Sequence, residues 1–229
     1  MHWQALIDFD GTITLKDTTD EILERFADPL WRDVEDDWLA GRIGSRQCME
    51  RQVALLRATP TELDDFIAKV EIDWGFKSFV RSCQRRNIRL VVASDGFDRV
   101  ITAVLGRAGL AFLPVVANHL APVGQDRWQM TSPFAAGDCA SGTCKCAVAG
   151  TFQRPMTLLV GDGKSDHCVA GEADFTFAKA GLIGHCRDNN LPHRPFTSFA
   201  QAVDLLEELV DDRVHAGAAL EHTREMIRG

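Results

Sequence analysis

The sequence predicts an α/β protein: a parallel sheet with helices on both faces, plus a small helical bundle inserted after the first strand. Three observations predict it. "WQALIDFD" (3–10) is a short, continuous apolar run, as in a strand buried on both faces. From about 17 to 72, four amphipathic helical patterns follow one another with no strand between them. Beyond 73, strand and helix patterns alternate, which implies parallel strands joined by crossover helices. The expected division is a core of residues 1–15 and 73–229 and a helical cap of residues 16–72.

Each element has its own local reason. "TTDEILERFA" carries a capping box from Thr18 to Glu21, then apolar Ile22, Leu23 and Phe26. "PLWRDVEDDWLAG" sets Leu30, Trp31, Val34 and Trp38 on one face, as bundle core, and stops at Gly41. "SRQCMERQVALLR" continues with Met49, Val53 and Leu56. "TPTELDDFIAKV" has Thr59 as N-cap, Pro60 at N1 and Glu62 at N3. Beyond the bundle, "FKSFVRSCQRRN" is a helix, "IRLVVAS" (88–94) a strand and "FDRVITAVLGRAG" a helix. "LPVVANHL" and "RWQMTS" are extended around the turn "VGQD". "KCAVAGTF" is helical, "MTLLVGD" (156–162) a strand, "SDHCVAGEA" a helix and "DFTFAK" (174–179) a last short strand. The tail from about 198 is helical.

Composition narrows the function. A net charge of -8 argues against a general nucleic-acid binder and against an anionic-membrane surface. No apolar stretch approaches the roughly 20 residues of a membrane span. The start "MHWQALIDFDG" lacks the basic and long apolar segments of a signal peptide. Seven cysteines without such a signal read as reduced thiols of a cytoplasmic protein.

The chemistry gathers where three strands end. One ends in Asp8-Phe9-Asp10, one in Ser94-Asp95-Gly96 and one in Gly161-Asp162-Gly163, with Asp166 a turn further on. Lys145 stands alone before a helix. In open α/β sheets, ligands bind at this carboxyl rim. Clustered carboxylates repel unless a cation lies between them, and a few hard oxygen ligands suit Mg²⁺ with a phosphate completing its shell. Ser94, the amides of the turn through Asp95 and Gly96, and Lys145 are candidate phosphate donors. Asp8 can attack phosphorus, since a carboxylate needs no deprotonation at neutral pH. Asp10 can protonate the leaving alkoxide and later deprotonate a water, once Gly11 lets the chain bend.

"DFDGTIT", "VVASDG", Lys145 and "VGDGKSD" resemble, in order, the four motifs of the haloacid dehalogenase-like superfamily of phosphatases. The resemblance runs over essentially the whole chain. It implies a Rossmann-like core and a phosphoaspartyl intermediate on Asp8. It also implies Mg²⁺ held by Asp8, the backbone carbonyl of Asp10 and Asp162, with Asp166 in support. True dehalogenases lack the second acid of the first motif; Asp10 is present here. The insertion looks like the small cap of the phosphoserine-phosphatase-like branch, and such a cap is expected to open and close over the site.

Within that branch the sequence departs from phosphoserine phosphatases. The cap Glu and Arg that grip the amino acid align with Asp17 and Gln52, and Arg51 faces about 100° away on a helix. Ser165 stands where Asn is usual. The loop "CASGTCKC", Ser165 and the ending "FTFAKAGLIGHCRDNNLPHRPFTSF" are more similar to the 2-hydroxy-3-keto-5-methylthiopentenyl-1-phosphate phosphatases of methionine salvage. Asp17, Arg42, Arg46, Arg51 and Gln52 are candidates for the substrate side of the pocket. The expected function is a Mg²⁺-dependent phosphomonoesterase acting on a small phosphorylated metabolite. A phosphoserine phosphatase, a phosphotransferase of mutase type and a non-enzymatic phosphometabolite binder remain alternatives. Cys139, Cys144 and Cys146 are spaced unlike a zinc knuckle and are expected to pack their loop.

Overall fold

The computed structural model describes residues 3–137, 139–151 and 156–210. The first strand, β1 (Trp3–Ile7), is followed by four helices: α1 (Thr18–Phe26), α2 (Trp31–Leu39), α3 (Ser45–Ala54) and α4 (Pro60–Ile67). Then come α5 (Phe76–Arg85), β2 (Arg89–Phe97), α6 (Asp98–Arg107), β3 (Val115–Pro122) and β4 (Trp128–Thr131). The chain continues through α7 (Lys145–Gly150), β5 (Met156–Gly161), a 3-10 turn (Lys164–Asp166) and α8 (His167–Ala170). It closes with β6 (Phe175–Ala178), α9 (Ala180–Asp188), β7 (His193–Pro195) and a helix, α10, over 199–210.

The seven strands form one sheet in the order β4-β3-β2-β1-β5-β6-β7. All neighbours are parallel except the β3–β4 hairpin, which turns where Val123 N–H meets the Arg127 carbonyl. Strand β1 therefore lies centrally, between β2 and β5, so the carboxyl ends of β1, β2 and β5 lie side by side. Alternate side chains feed two cores, as the pleat requires. Ala5 and Ile7, Leu90 and Val92, and Leu158 and Val160 point to a larger core under α5, α6 and α10. Leu6, Val91 and Leu159 point to a smaller one under α7, α8 and α9.

The helical insertion leaves and rejoins the sheet at an antiparallel bridge between Thr14 and Ile72. Its apolar residues do not form a separate core. Ile22, Leu23, Val53, Leu56, Leu63 and Phe66 are contiguous with Phe9, Ile13, Phe76 and Ile101 of the sheet and its helices. Polar contacts add to the seam: Trp128 Nε1 donates to the Ala58 carbonyl at 2.8 Å, and Arg99 forks onto Asp64 at 2.8 Å.

Some expectations are corrected. The N-cap of α1 is Asp17, whose side chain accepts from Asp20 N–H, not Thr18. The Thr18 hydroxyl is taken by the half-buried Asp10 carboxylate, and a charge-assisted bond outcompetes a neutral cap. The capping box of α4, Thr59 with Glu62, forms as read. Leu30 is exposed, and Trp38 is half-buried with Lys164 Nζ 4.3 Å from its ring, so neither is bundle core; Trp31 and Val34 are. Helix α8 is only four residues long, because the Asp166 carboxylate draws the preceding turn onto its own oxygens. Strand β7, three residues ending in Pro195, has no pattern long enough to read.

Candidate active site

Asp8 follows directly on β1, and its N–H extends the ladder to the Val160 carbonyl at 2.9 Å. The chain then turns: the Thr12, Ile13 and Thr14 amides all fold back onto the Phe9 carbonyl. Gly11 makes this possible, at φ +67 and with a Cβ position 2.5 Å from an Asp162 oxygen. The turn aims Asp10 at the start of α1. Its Oδ1 accepts from Thr18 N–H at 2.9 Å and from the Thr18 hydroxyl at 2.5 Å, and its Oδ2 from the Thr19 hydroxyl at 3.4 Å. Thr18 and Thr19 are site residues that the sequence did not reveal, since their helical position suggested only capping.

Lys145, at the start of α7, reaches the carboxyl end of β1. Its ammonium donates to Asp8 Oδ1 at 2.8 Å, Asp166 Oδ1 at 2.5 Å and Ser165 Oγ at 3.3 Å. Asp8 is 5% exposed, Lys145 4% and Asp166 0%, so these charges meet out of water. Asp166 Oδ2 accepts from the Asp162 and Gly163 amides at 3.1 and 3.4 Å. Thr12 donates to Asp162 Oδ1 at 3.3 Å.

Carboxylate oxygens of Asp8, Asp162 and Asp166 all lie within 4.8 Å of one another. Burial holds the Asp8 carboxyl well above the usual range; Lys145 pulls it down, and Asp166 and Asp162 push it up. Asp162 is raised by burial and then by Asp166. Burial works against the Lys145 ammonium, but Asp166 and Asp8 outweigh it and hold the amine above its ordinary value. Three acids face one internal cation, which leaves the cluster about two positive charges short. This donor set, all hard oxygen, fits Mg²⁺. The Asp10 side chain is turned to Thr18 and lies outside that set, so only its backbone could join it.

The irregular end of β2, which runs on to Phe97 where the sequence suggested a stop at 94, supplies the opposite wall. Gly96 N–H donates to Ser94 Oγ at 3.0 Å, which leaves the Ser94 proton to give into the pocket. A Cβ on Gly96 would collide with Asp10 Oδ2, so this position admits only glycine without a shift. Asp95 fixes its surroundings: Oδ1 accepts from Thr143 N–H at 2.7 Å and Oδ2 from the Ser45 hydroxyl at 2.5 Å. Burial, then the charge of Asp17, push Asp10 up to about 7, against the Thr18 and Thr19 bonds that favour its ionised form.

Asp8, Asp10, Ser94, Asp95, Gly96 and Asp162 form the sheet side of a pocket of about 250 Å³; Lys145 and Asp166 hold Asp8 from behind and do not line it. The insertion contributes Asp17, Asp20, Glu35, Trp38, Met49 and Gln52. Gln52 is buried and donates to Glu35 at 2.8 Å. Arg42 and Arg51 do not line it: both are exposed and pair with Asp37 at 2.8 and 3.0 Å. Arg46 is also outside the lining. Glu35, Trp38 and Asp20 went unread because an amphipathic pattern does not say which polar edge faces a cavity. Among the described residues no cysteine joins a group of three or more metal-ligating side chains.

Comparison with known proteins agrees with the geometry. The haloacid dehalogenase-like hydrolase family matches over residues 5–171. A 2-hydroxy-3-keto-5-methylthiopentenyl-1-phosphate phosphatase of Geobacillus thermodenitrificans is 32% identical over 88% of this chain and 94% of its own. A polyol phosphate phosphatase of Saccharomyces cerevisiae is 25% identical over 89% and 92%. Among solved structures, phosphoserine phosphatase from T. onnurineus superposes with a TM-score of 0.69 at 17% identity, over 90% of this chain and 94% of the other. A phospho-aspartyl intermediate analogue of phosphoserine phosphatase gives 0.62 at 20%, over 80% and 90%. The chain belongs to the haloacid dehalogenase-like hydrolases, and is an enzyme of their phosphatase type.

Proposed function

We propose that this enzyme hydrolyses a small phosphorylated metabolite through a phosphoaspartyl intermediate on Asp8. One observation carries the reading: a buried carboxylate on the pocket floor, held by Lys145, with a second carboxylate beside it that burial pushes up to about 7. Asp8 attacks phosphorus, a new P–O bond forms to its carboxylate, and the bond to the leaving oxygen breaks. Asp10 gives its proton to that oxygen, then takes one from the water that cleaves the acyl phosphate. Ser94 and Lys145 hold the charge of the transferring group. Asp8 and Asp162, with Asp166 behind them, would hold Mg²⁺, which when bound neutralises this cluster and the substrate's phosphate oxygens. Residues 16–72 act as the cap that shapes the substrate's organic half. The reading suits the cytoplasm, where phosphorylated metabolites and reduced thiols coexist.

The cap wall bears on the substrate. Asp17, Asp20 and Glu35 face the pocket against one lining cation among the described residues, Lys164, whose ammonium lies over the Trp38 ring, while Arg42 and Arg51 are bound to Asp37 outside it. A carboxylate on the substrate would meet like charge there, and Gln52 offers no compensating charge. This disfavours phosphoserine and favours an uncharged, hydroxyl-bearing organic half, as in the phosphatases of 2-hydroxy-3-keto-5-methylthiopentenyl-1-phosphate and of polyol phosphates. Asp8→Asn and a chelator should each abolish turnover of a generic aryl phosphate; full activity in either case overturns the mechanism. In a substrate panel, kcat/KM for these hydroxylated phosphates should exceed that for phosphoserine by about a hundredfold, and the reverse order would overturn the substrate assignment.

A further inference from the structure

The geometry points to Cys146 and Cys168 as a disulfide-forming modification site coupled to the active site. Their Sγ atoms lie 3.3 Å apart, against about 2.05 Å in a disulfide. The two thiols sit on different elements, α7 and α8, and 22 residues separate them in sequence. Cys168 is exposed and Cys146 half-buried, so an oxidant reaches the first and the second is poised to resolve it. Neither lines the substrate pocket.

Both thiols adjoin the machinery. Cys146 follows Lys145 directly, and Cys168 lies two residues past Asp166. Lys145 and Asp166 are themselves joined at 2.5 Å. A bond between the sulfurs therefore ties together the helix that carries the site's ammonium and the turn that carries its buried acid. Closing the gap brings the sulfurs about 1.2 Å closer, a movement shared between side-chain rotation and approach of the two segments. A displacement of about 1 Å at a reacting centre costs up to a hundredfold in rate. A second pair, Cys139 and Cys144, is also close, but Cys144 is buried and its sulfur is engaged as the N-cap of α7.

The chemistry balances with a peroxide as oxidant. One oxygen of hydrogen peroxide transfers to the Cys168 sulfur, giving a sulfenic acid and water. The Cys146 thiol then displaces the hydroxyl, forms the S–S bond and releases a second water. A dithiol reductant restores both thiols.

The test treats the full chain with hydrogen peroxide and reads intact mass, a protease map and aryl phosphatase turnover. We expect a loss of about 2 Da from two thiol hydrogens, a cross-link joining the peptides of residues 146 and 168, and a fall in kcat of tenfold or more that dithiothreitol reverses. Cys168→Ser should keep the reduced-state rate and lose the reversible inhibition. Oxygen addition without a cross-link, a link between Cys139 and Cys144 instead, or a 146–168 link with unchanged turnover would each overturn the inference. The mass readout does not rest on the phosphatase reading: a correct cross-link in a protein inert toward every phosphate ester would uphold the disulfide site and count against the proposed function.

Discussion

Replacing Lys145 by Met tests how the buried charges are held. The side chain is 3% exposed and bridges Asp8 and Asp166, whose side chains are 6% and 0% exposed. Methionine keeps the length and removes the charge, so two acids lose their internal counter-charge. Breaking a buried pair on one side costs about 3–5 kcal/mol. With a urea m-value of about 2–3 kcal/mol/M for a chain of this size, the midpoint should fall by about 1–2.5 M in chelator. Asp166→Asn also breaks the pair, but leaves Lys145 bound to Asp8. In the double variant the lost partners are the same, so its loss should be smaller than the sum of the two singles by about 1–3 kcal/mol. Urea titrations followed by tryptophan fluorescence, at pH 7.5 with EDTA, give all three values. Activity should fall by a hundredfold or more in Lys145→Met, as a transition-state charge donor is lost. Additivity within about 0.5 kcal/mol would refute the claim that this contact, rather than burial alone, holds the two residues in place.

Three further outcomes follow from the same geometry. Thr18→Val removes a hydroxyl that favours ionised Asp10, so the alkaline limb of kcat/KM for an alkyl phosphate should move up by about 1–2 pH units; an unmoved limb would separate Asp10 from the acid role. Gly96→Ala places a methyl group against Asp10 Oδ2 and should cut kcat about a hundredfold while circular dichroism stays native; wild-type turnover would show that the loop has slack. Asp8, Asp10 and Asp162 are all raised, so the folded state holds their protons more tightly than the unfolded chain does. The stability this contributes is present below about pH 4 and lost as pH rises towards 7 and beyond, so metal-free protein should melt lower at pH 7.5 than at 5.5, and excess Mg²⁺ should reverse the drop; a flat profile would contradict the raised values.

The site's floor was legible because strand ends in a parallel sheet converge. Asp8, Ser94 and Asp162 each end an apolar run, and central β1 brings those ends together. The cap was legible as helices but not as a wall. Arg42 and Arg51 looked free in sequence, yet Asp37, on α2, claims both. Thr18 looked like a cap, and only the fold shows Asp10 arriving at its hydroxyl. Trp38 has the spacing of a core residue, but Lys164 from another loop covers it instead. The deciding partner lies 5 residues away for Arg42, 8 for Thr18 and 126 for Trp38, and in none of these cases does helical periodicity carry information about it.

The shared apolar seam between the insertion and the sheet also constrains how new substrates can be acquired. Because Phe66 and Leu56 pack on the same cluster as Phe9 and Ile101, the four helices cannot be exchanged wholesale with those of a distant relative unless the facing residues of the host change in concert. Glu35 and Gln52 lie at the pocket and off that seam, so they can change without disturbing it, although their mutual 2.8 Å hydrogen bond makes them change as a pair. A new substrate is therefore met by small changes along the rim, while the packing beneath stays as it is and melts as one cooperative unit with the sheet.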